Sequence, residues 1–183
     1  ALNRLQLLRF RDAAAGVRAR RYSLANSAGI CLGTDYSFDL VRPGLALYGG
    51  VPRVEAEGYI REVVHLEAQV VQRRRVLEGE SCGYGATFTA DRDLDALVVN
   101  IGYADGYFRG FSNRGTARAG DNELPLLGRV SMDLLIFDAN GSGAGEGDWV
   151  EIDYDLPHAA ALSDMSQYEL LTGLGSRFER VWK

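Results

Sequence analysis

Five short segments hold most of the residues able to do chemistry. They are Ala25-Asn26-Ser27-Ala28-Gly29, Val41-Arg42-Pro43-Gly44, Gly83-Tyr84-Gly85-Ala86-Thr87, Gly102-Tyr103-Ala104-Asp105-Gly106-Tyr107 and Gly128-Arg129-Val130-Ser131-Met132-Asp133. Asn-Ser at a strand end offers a hydroxyl and backbone N–H groups to an anion; the same pair also caps helices. Arginine is a permanent cation with donors and no acceptor, although Arg-Pro-Gly is commonly just a turn. A phenol between two glycines can work as an acid or base if its surroundings help it away from its ordinary pKa of about 10. The plainer reading is a packing tyrosine whose neighbours need unusual backbone angles. Each segment alone has an ordinary structural explanation, and only the set of five carries weight.

The elements that must position these segments change character along the chain. Leu2, Leu5, Leu8 and Phe10 stand near helical spacing with arginines between them, which predicts an amphipathic helix over 1–18. Residues 21–25 read as a buried strand running into Asn26-Ser27, and 41–50 as an apolar strand closed by Gly49-Gly50. Helix, strand, loop, strand is the pattern of a parallel α/β fold, and far short of the about 250 residues of a closed α/β barrel.

From about residue 58 the chain reads as short strands with turns between them. Leu66, Ala68 and Val70 alternate with polar residues, and 96–101 is a run that is apolar but for Asn100 and ends at Gly102. Gly120-Asp121-Asn122 lies between the strands 116–119 and 124–127, a hairpin signal. Strands are also expected over 130–137 and 149–154, separated by the Gly- and Ser-rich loop 140–147, which reads as a mobile linker. Such spacing indicates a β-barrel or β-sandwich. Ser166 and Glu169 stand in capping-box positions before a closing helix that ends by Gly175.

Composition narrows the function classes. The 183 residues are 46% hydrophobic and 25% charged, a globular balance. Net charge is −5, with eight basic and five acidic groups over 1–57 against twelve and twenty over 58–183. That acidic part argues against nucleic acid as a partner. Cys31 and Cys82 are too few for a disulfide framework and point to a reduced, cytoplasmic chain. With His65 and His158 scattered, no zinc or other metal site is expected. No apolar run reaches membrane-spanning length, and the first residues lack a signal peptide's pattern. Nineteen of the twenty basic residues are arginine; the one lysine is Lys183.

In this order, with 16 residues from Asn26 to Arg42 and 19 from Tyr84 to Tyr103, the five segments resemble the C-terminal half of alanine racemase, a fold-type III enzyme that uses pyridoxal phosphate. The resemblance runs from about residue 20 to the end. It implies a mainly β fold: a remnant of a truncated α/β (TIM-type) barrel over 1–57, then a C-terminal β domain with a closing helix over 58–183. It implies an isomerase that interconverts L- and D-alanine by a two-base mechanism, supplies D-alanine for peptidoglycan and works as a cytoplasmic homodimer. Its substrate is a small amino acid.

Residue by residue, Asn26 and Ser27 match the pair that helps hold the cofactor phosphate, and Gly44 and Leu45 the backbone that approaches it. Arg42 matches the arginine facing the pyridine nitrogen. It can donate to that nitrogen but cannot take up its proton, which limits carbanion stabilisation and suits a racemase that must avoid transamination. Tyr84 matches the catalytic base on the L-alanine face, delivered to the active site of the other subunit. Tyr103 lines the path by which substrate arrives, with Asp105, Arg109 and Asp133 beside it. Met132 matches the residue whose backbone N–H meets the substrate carboxylate.

The sequence departs from the family pattern at three places. Position 23 is serine where a histidine often stands behind the pyridine-facing arginine. Ser176 is the counterpart of a phosphate-binding tyrosine. The Schiff-base lysine that serves the D-alanine face has no counterpart here, since Lys183 is the only lysine. The chain is therefore read as the C-terminal portion of a racemase, inactive without its N-terminal barrel half. Two other readings are a non-catalytic binding module built on the same β domain and another amino-acid racemase or decarboxylase of this fold type. The Gly-Tyr-Gly-Ala-Thr and Ser-Met-Asp segments favour alanine racemase.

Overall fold

The computed structural model describes residues 1–182. The chain forms two compact units, Ala1–Val63 and Val64–Lys183.

In the first unit the expected helix is present as α1 (Leu2–Ala15), which ends at Gly16. Leu7 is buried, while Leu2, Leu5 and Leu8 remain exposed. The two strands expected over 21–25 and 41–50 do not form. A single parallel bridge joins Asn26 to Arg42, and the Arg42 N–H donates to the Ala25 carbonyl at 2.8 Å. Two segments give each other one rung, and a parallel ladder needs further neighbours. Pro43 has no N–H to extend the pairing. The chain instead coils into a 3-10 turn over Leu45–Tyr48, which Gly49 ends in a left-handed conformation. Asn26 caps the short helix α2 (Ser27–Ile30), its side chain accepting the Gly29 N–H at 2.9 Å.

The second unit is built on strands β1 (Leu66–Val76), β2 (Ser81–Cys82), β3 (Phe88–Thr89), β4 (Leu94–Val99), β5 (Thr116–Ala119), β6 (Asn122–Pro125), β7 (Leu135–Asp138) and β8 (Trp149–Ile152). Six of them form one antiparallel sheet in the order β6-β5-β8-β1-β4-β7. An antiparallel bridge between Leu126 and Phe137 joins the two ends of that order, and the Leu127 N–H donates to the Ile136 carbonyl at 2.7 Å. The sheet thus closes into a barrel, which removes its open edges.

The eleven-residue β1 makes closure possible. Its first part pairs with β8 and its later part with β4, and the register shifts between Val70 and Gln72. A bulge there bends the strand from one wall to the next. Leu97, Val99, Leu124, Leu135 and Phe137 fill the interior together with the stacked rings of Tyr107 and Phe111. On β4, Leu94 and Ala96 pack instead with Val76, Ala90 and Leu127 in a second cluster. Side chains on both faces of β4 are thus packed, which accounts for the apolar run Ala96–Val99.

The hairpin β5–β6 turns on Gly120-Asp121, with Ala119 opposite Asn122. The strand expected over 130–137 begins only at Leu135. Gly128 takes a positive φ of 78°, and Ser131 Oγ accepts the Leu134 N–H, folding 128–134 into a loop. The helix α4 (Gln167–Gly173) carries the expected capping box from Ser166 and Glu169. A helix α3 (Leu156–Ser163) precedes it, capped by Asp155 with proline in its first turn. Among the described residues no helix is long and apolar enough to cross a membrane, and no group of three metal-ligating side chains gathers.

Candidate active site

Each unit carries its own polar cluster. In the first, Ser27 is buried at 3% exposure. Its Oγ accepts the backbone N–H of Gly44 at 3.0 Å and of Ala46 at 3.3 Å. Leu45, between them, is buried too. A hydroxyl that accepts twice keeps one proton to donate, and it is fixed in place by the backbone it holds. Asn26 stands beside it with its side chain engaged as the cap of α2.

Arg42 lies on the paired rung next to Asn26. Its Nη1 donates to the Ser23 hydroxyl at 2.6 Å and to the Ser23 carbonyl at 3.0 Å. Serine at position 23 therefore does orient the guanidinium, from one nitrogen, leaving the other nitrogens of the fork for a further acceptor. Asn26, Ser27, Arg42, Gly44 and Leu45 are thus gathered at one end of this unit's short pairing.

In the second unit the small hairpin β2–β3 presents Tyr84 at its tip. Gly83 and Gly85 take φ values of 77° and 74°, as the sequence pattern anticipates. The packing reading of this tyrosine fails, because Tyr84 is 71% exposed. Tyr107 and Tyr154 show what packing tyrosines look like here. Both are almost wholly buried, and burial pushes both phenols well above the ordinary range. Tyr84 and Arg129 border an open cavity of about 660 Å³ whose floor includes Ala96, Val98 and Ile136.

Tyr103 follows β4 in a tight 3-10 turn, Tyr103–Asp105. Two backbone bonds stitch this turn to the 128–134 loop: Tyr103 N–H to the Ser131 carbonyl and Ala104 N–H to the Met132 carbonyl, each 3.0 Å. Gly102 permits that approach, since a Cβ there would fall 2.4 Å from the Met132 oxygen. Tyr103 and Met132 are therefore adjacent, with Met132 itself exposed. The Arg109 guanidinium lies 5.2 Å from the centre of the Tyr103 ring, a cation–π contact.

Asp105 is buried at 6% exposure. One of its oxygens accepts the Gly102 N–H at 2.9 Å and the other the Arg177 Nε at 2.7 Å. Arg177 also reaches Asp133 through Nη1 at 2.8 Å, and the two carboxylates hold its guanidinium above the usual arginine range. Sequence reading missed Arg177. It stands 72 residues from Asp105 and 44 from Asp133, so only the fold reveals the pairing. Lys183 lies outside the described residues.

The second unit is thus a closed six-stranded barrel whose loops carry Tyr84, Tyr103 and Met132, and the first unit gathers hydroxyl, backbone and guanidinium donors beside its one rung. Residues 63–182 match the family model described as alanine racemase, C-terminal domain, and residues 1–52 match that of its N-terminal domain. The chain belongs to the alanine racemase family. It is 41% identical to the alanine racemase of Rhodospirillum rubrum over 98% of this chain and 50% of that protein. It is 38% identical to the biosynthetic alanine racemase of Agrobacterium fabrum, over 99% of this chain and 51% of that one. Its structure superposes with TM-score 0.87 on alanine racemase from Bartonella henselae with covalently bound pyridoxal phosphate, at 39% identity over 99% of this chain and 52% of that one. The chain spans about half the length of the relatives it matches.

Proposed function

We propose that this chain is the C-terminal portion of a pyridoxal-phosphate-dependent alanine racemase that interconverts L- and D-alanine. The observation that carries the reading is the exposed Tyr84 phenol, held on a glycine-flanked turn with no packing role in its own chain. The donors in the first unit fit the cofactor's phosphate and ring nitrogen. Ser27 keeps a hydroxyl proton for an anion beside the backbone of Gly44 and Leu45, and Asn26 flanks it. Arg42, braced by Ser23, would hold the ring nitrogen by donating to it, and its guanidinium would keep its own proton.

The chemistry supplied by bound pyridoxal phosphate is electron withdrawal that makes the Cα–H of an amino acid acidic. Tyr84 Oη takes or returns that proton on the L-alanine face. Met132 holds the substrate carboxylate through its backbone N–H. Tyr103, Asp105, Arg109 and Asp133 line and charge the path by which the amino acid arrives. The opposite face needs a lysine from the part of the relatives that this chain does not cover. On this reading residues 1–57 complete that part's barrel and 58–183 form the β domain. The working enzyme is a cytoplasmic homodimer in which Tyr84 serves the partner's site, and its D-alanine feeds peptidoglycan.

Mixing this chain with a separately produced N-terminal barrel half and the cofactor should restore conversion of L- to D-alanine, read by chiral chromatography. Neither half alone should be active. Reconstituted protein that binds cofactor yet leaves alanine unconverted would refute the assignment.

A further inference from the structure

We propose that Arg177 is a positioning residue that locks the Tyr103 turn to the Met132 loop. The inference rests on the racemase reading for its effect on substrate, but not for its effect on the loops. Three segments meet at this point. The turn 102–106 and the loop 131–134 are joined by the backbone bonds from Tyr103 and Ala104. The tail after α4 lies against the same turn, with the Gly175 N–H donating to the Asp105 carbonyl at 2.9 Å. A Cβ at Gly106 would fall 2.3 Å from the Gly173 oxygen, so turn and tail are in full contact. Arg177 is the side chain that reaches from the tail to both loops.

Its geometry is that of a clamp. Nε is spent on Asp105 and Nη1 on Asp133, two carboxylates from different loops on two nitrogens of one rigid plane. Asp105 already uses its second oxygen on the Gly102 N–H. Removing Arg177 leaves a buried carboxylate without its cation, in the turn that carries Tyr103. An ammonium at the same place is a single point charge and cannot reproduce the two-nitrogen fork.

Hydrogen exchange on the full chain tests the clamp directly. In Arg177→Ala the amides of Tyr103 and Ala104 should exchange about tenfold faster or more, while Leu97 and Val99 in the barrel wall stay within about twofold. Arg177→Lys should fall between wild type and the alanine variant. Unchanged exchange at 103 and 104, equal acceleration across the barrel, or a lysine variant indistinguishable from wild type would each overturn the proposal. In the complete enzyme Arg177→Ala should raise KM for L- and D-alanine alike, with a smaller change in kcat. A kcat loss confined to one enantiomer would overturn the positioning role. Failure of the wild-type enzyme to racemise alanine would sink the functional reading and leave the exchange result standing.

Discussion

An alanine at position 102 should be among the most damaging single-methyl additions in this chain. The backbone of Gly102, at φ −163° and ψ −164°, is extended and open to any residue, so the whole cost is steric. The added Cβ would lie 2.4 Å from the Met132 oxygen, 2.5 Å from its carbonyl carbon and 2.6 Å from the Ser131 oxygen. All three are backbone atoms, which cannot rotate aside. Relief requires the turn and the loop to part by about an ångström, and that stretches the bonds from Tyr103 and Ala104 beyond hydrogen-bonding range. Overpacking typically costs about 1–3 kcal/mol and each lost bond about 0.5–1.5 kcal/mol. The expected loss is therefore about 2–6 kcal/mol, a large part of the ~5–15 kcal/mol of a typical domain.

Urea unfolding of the full chain, followed by circular dichroism, measures it. Gly143→Ala is the control: nothing lies within 4 Å of its added Cβ, and its φ is not positive. That variant should be neutral or gain up to about 1 kcal/mol through the unfolded state. If Gly102→Ala stays within about 0.5 kcal/mol of wild type, the close approach is not structural and the reasoning fails.

Three other outcomes are expected. In the complete enzyme Tyr84→Phe should slow Cα proton exchange of L-alanine by about 10²–10⁴-fold while D-alanine exchange persists; equal small losses on both enantiomers would return Tyr84 to a structural role. Ser27→Ala should lower stability by about 1–3 kcal/mol in thermal unfolding, because the Gly44 and Ala46 N–H groups lose their acceptor; an unchanged melting temperature would contradict this. Asp93, held down by the Glu78 N–H and then Arg75, Asp95 by Arg73, and Glu169 by Ser166 all sit below their ordinary values of 3.8, 3.8 and 4.5. Depressed folded values give stability that is complete above those numbers and is lost as pH falls through them, so the urea midpoint should drop on acidification below about pH 4.5, and a midpoint that held or rose would reverse the sign.

Much of the β unit was legible because its signals are local. The alternation at Leu66–Val70, the Gly120-Asp121 turn and the Ser166–Glu169 box each depend on neighbours in sequence, and each appears in the fold. The strands expected over 21–25 and 41–50 were misread for the opposite reason. Their sequence suggests extended chain, but a strand needs a neighbour, and within this chain the two segments share one rung of pairing. The 130–137 strand was overextended because Val130 is a core residue that sits in a loop. Helix α3 was overlooked although Asp155 and Pro157 mark its start, since the apolar run Ala159–Leu162 after His158 shows no helical period. In the second unit the turn around Tyr103 and the loop around Met132 are conspicuous in the sequence, but what joins them is not. Arg177 finds Asp105 and Asp133 only after the tail returns across the barrel.

The barrel's closure explains why the loops of the second unit hold their places. The chain between β6 and β7 is pinned at both ends: the Leu127 N–H bonds to Ile136, and Leu135 pairs with Val99. A short loop fixed at both ends on a closed barrel behaves as a rigid bracket. One end of the bracket backs the hairpin that bears Tyr84, since a Cβ at Gly128 would meet the Cys82 carbonyl at 3.5 Å. The other end backs the Tyr103 turn through Ser131 and Met132. Two loops from distant parts of the sequence, the Tyr84 hairpin and the Tyr103 turn, are thus referenced to one support. Tyr84 can remain exposed and still have a defined place, whereas Tyr107 and Tyr154 are fixed in the core, where burial raises their pKa values and removes them from acid–base work at neutral pH.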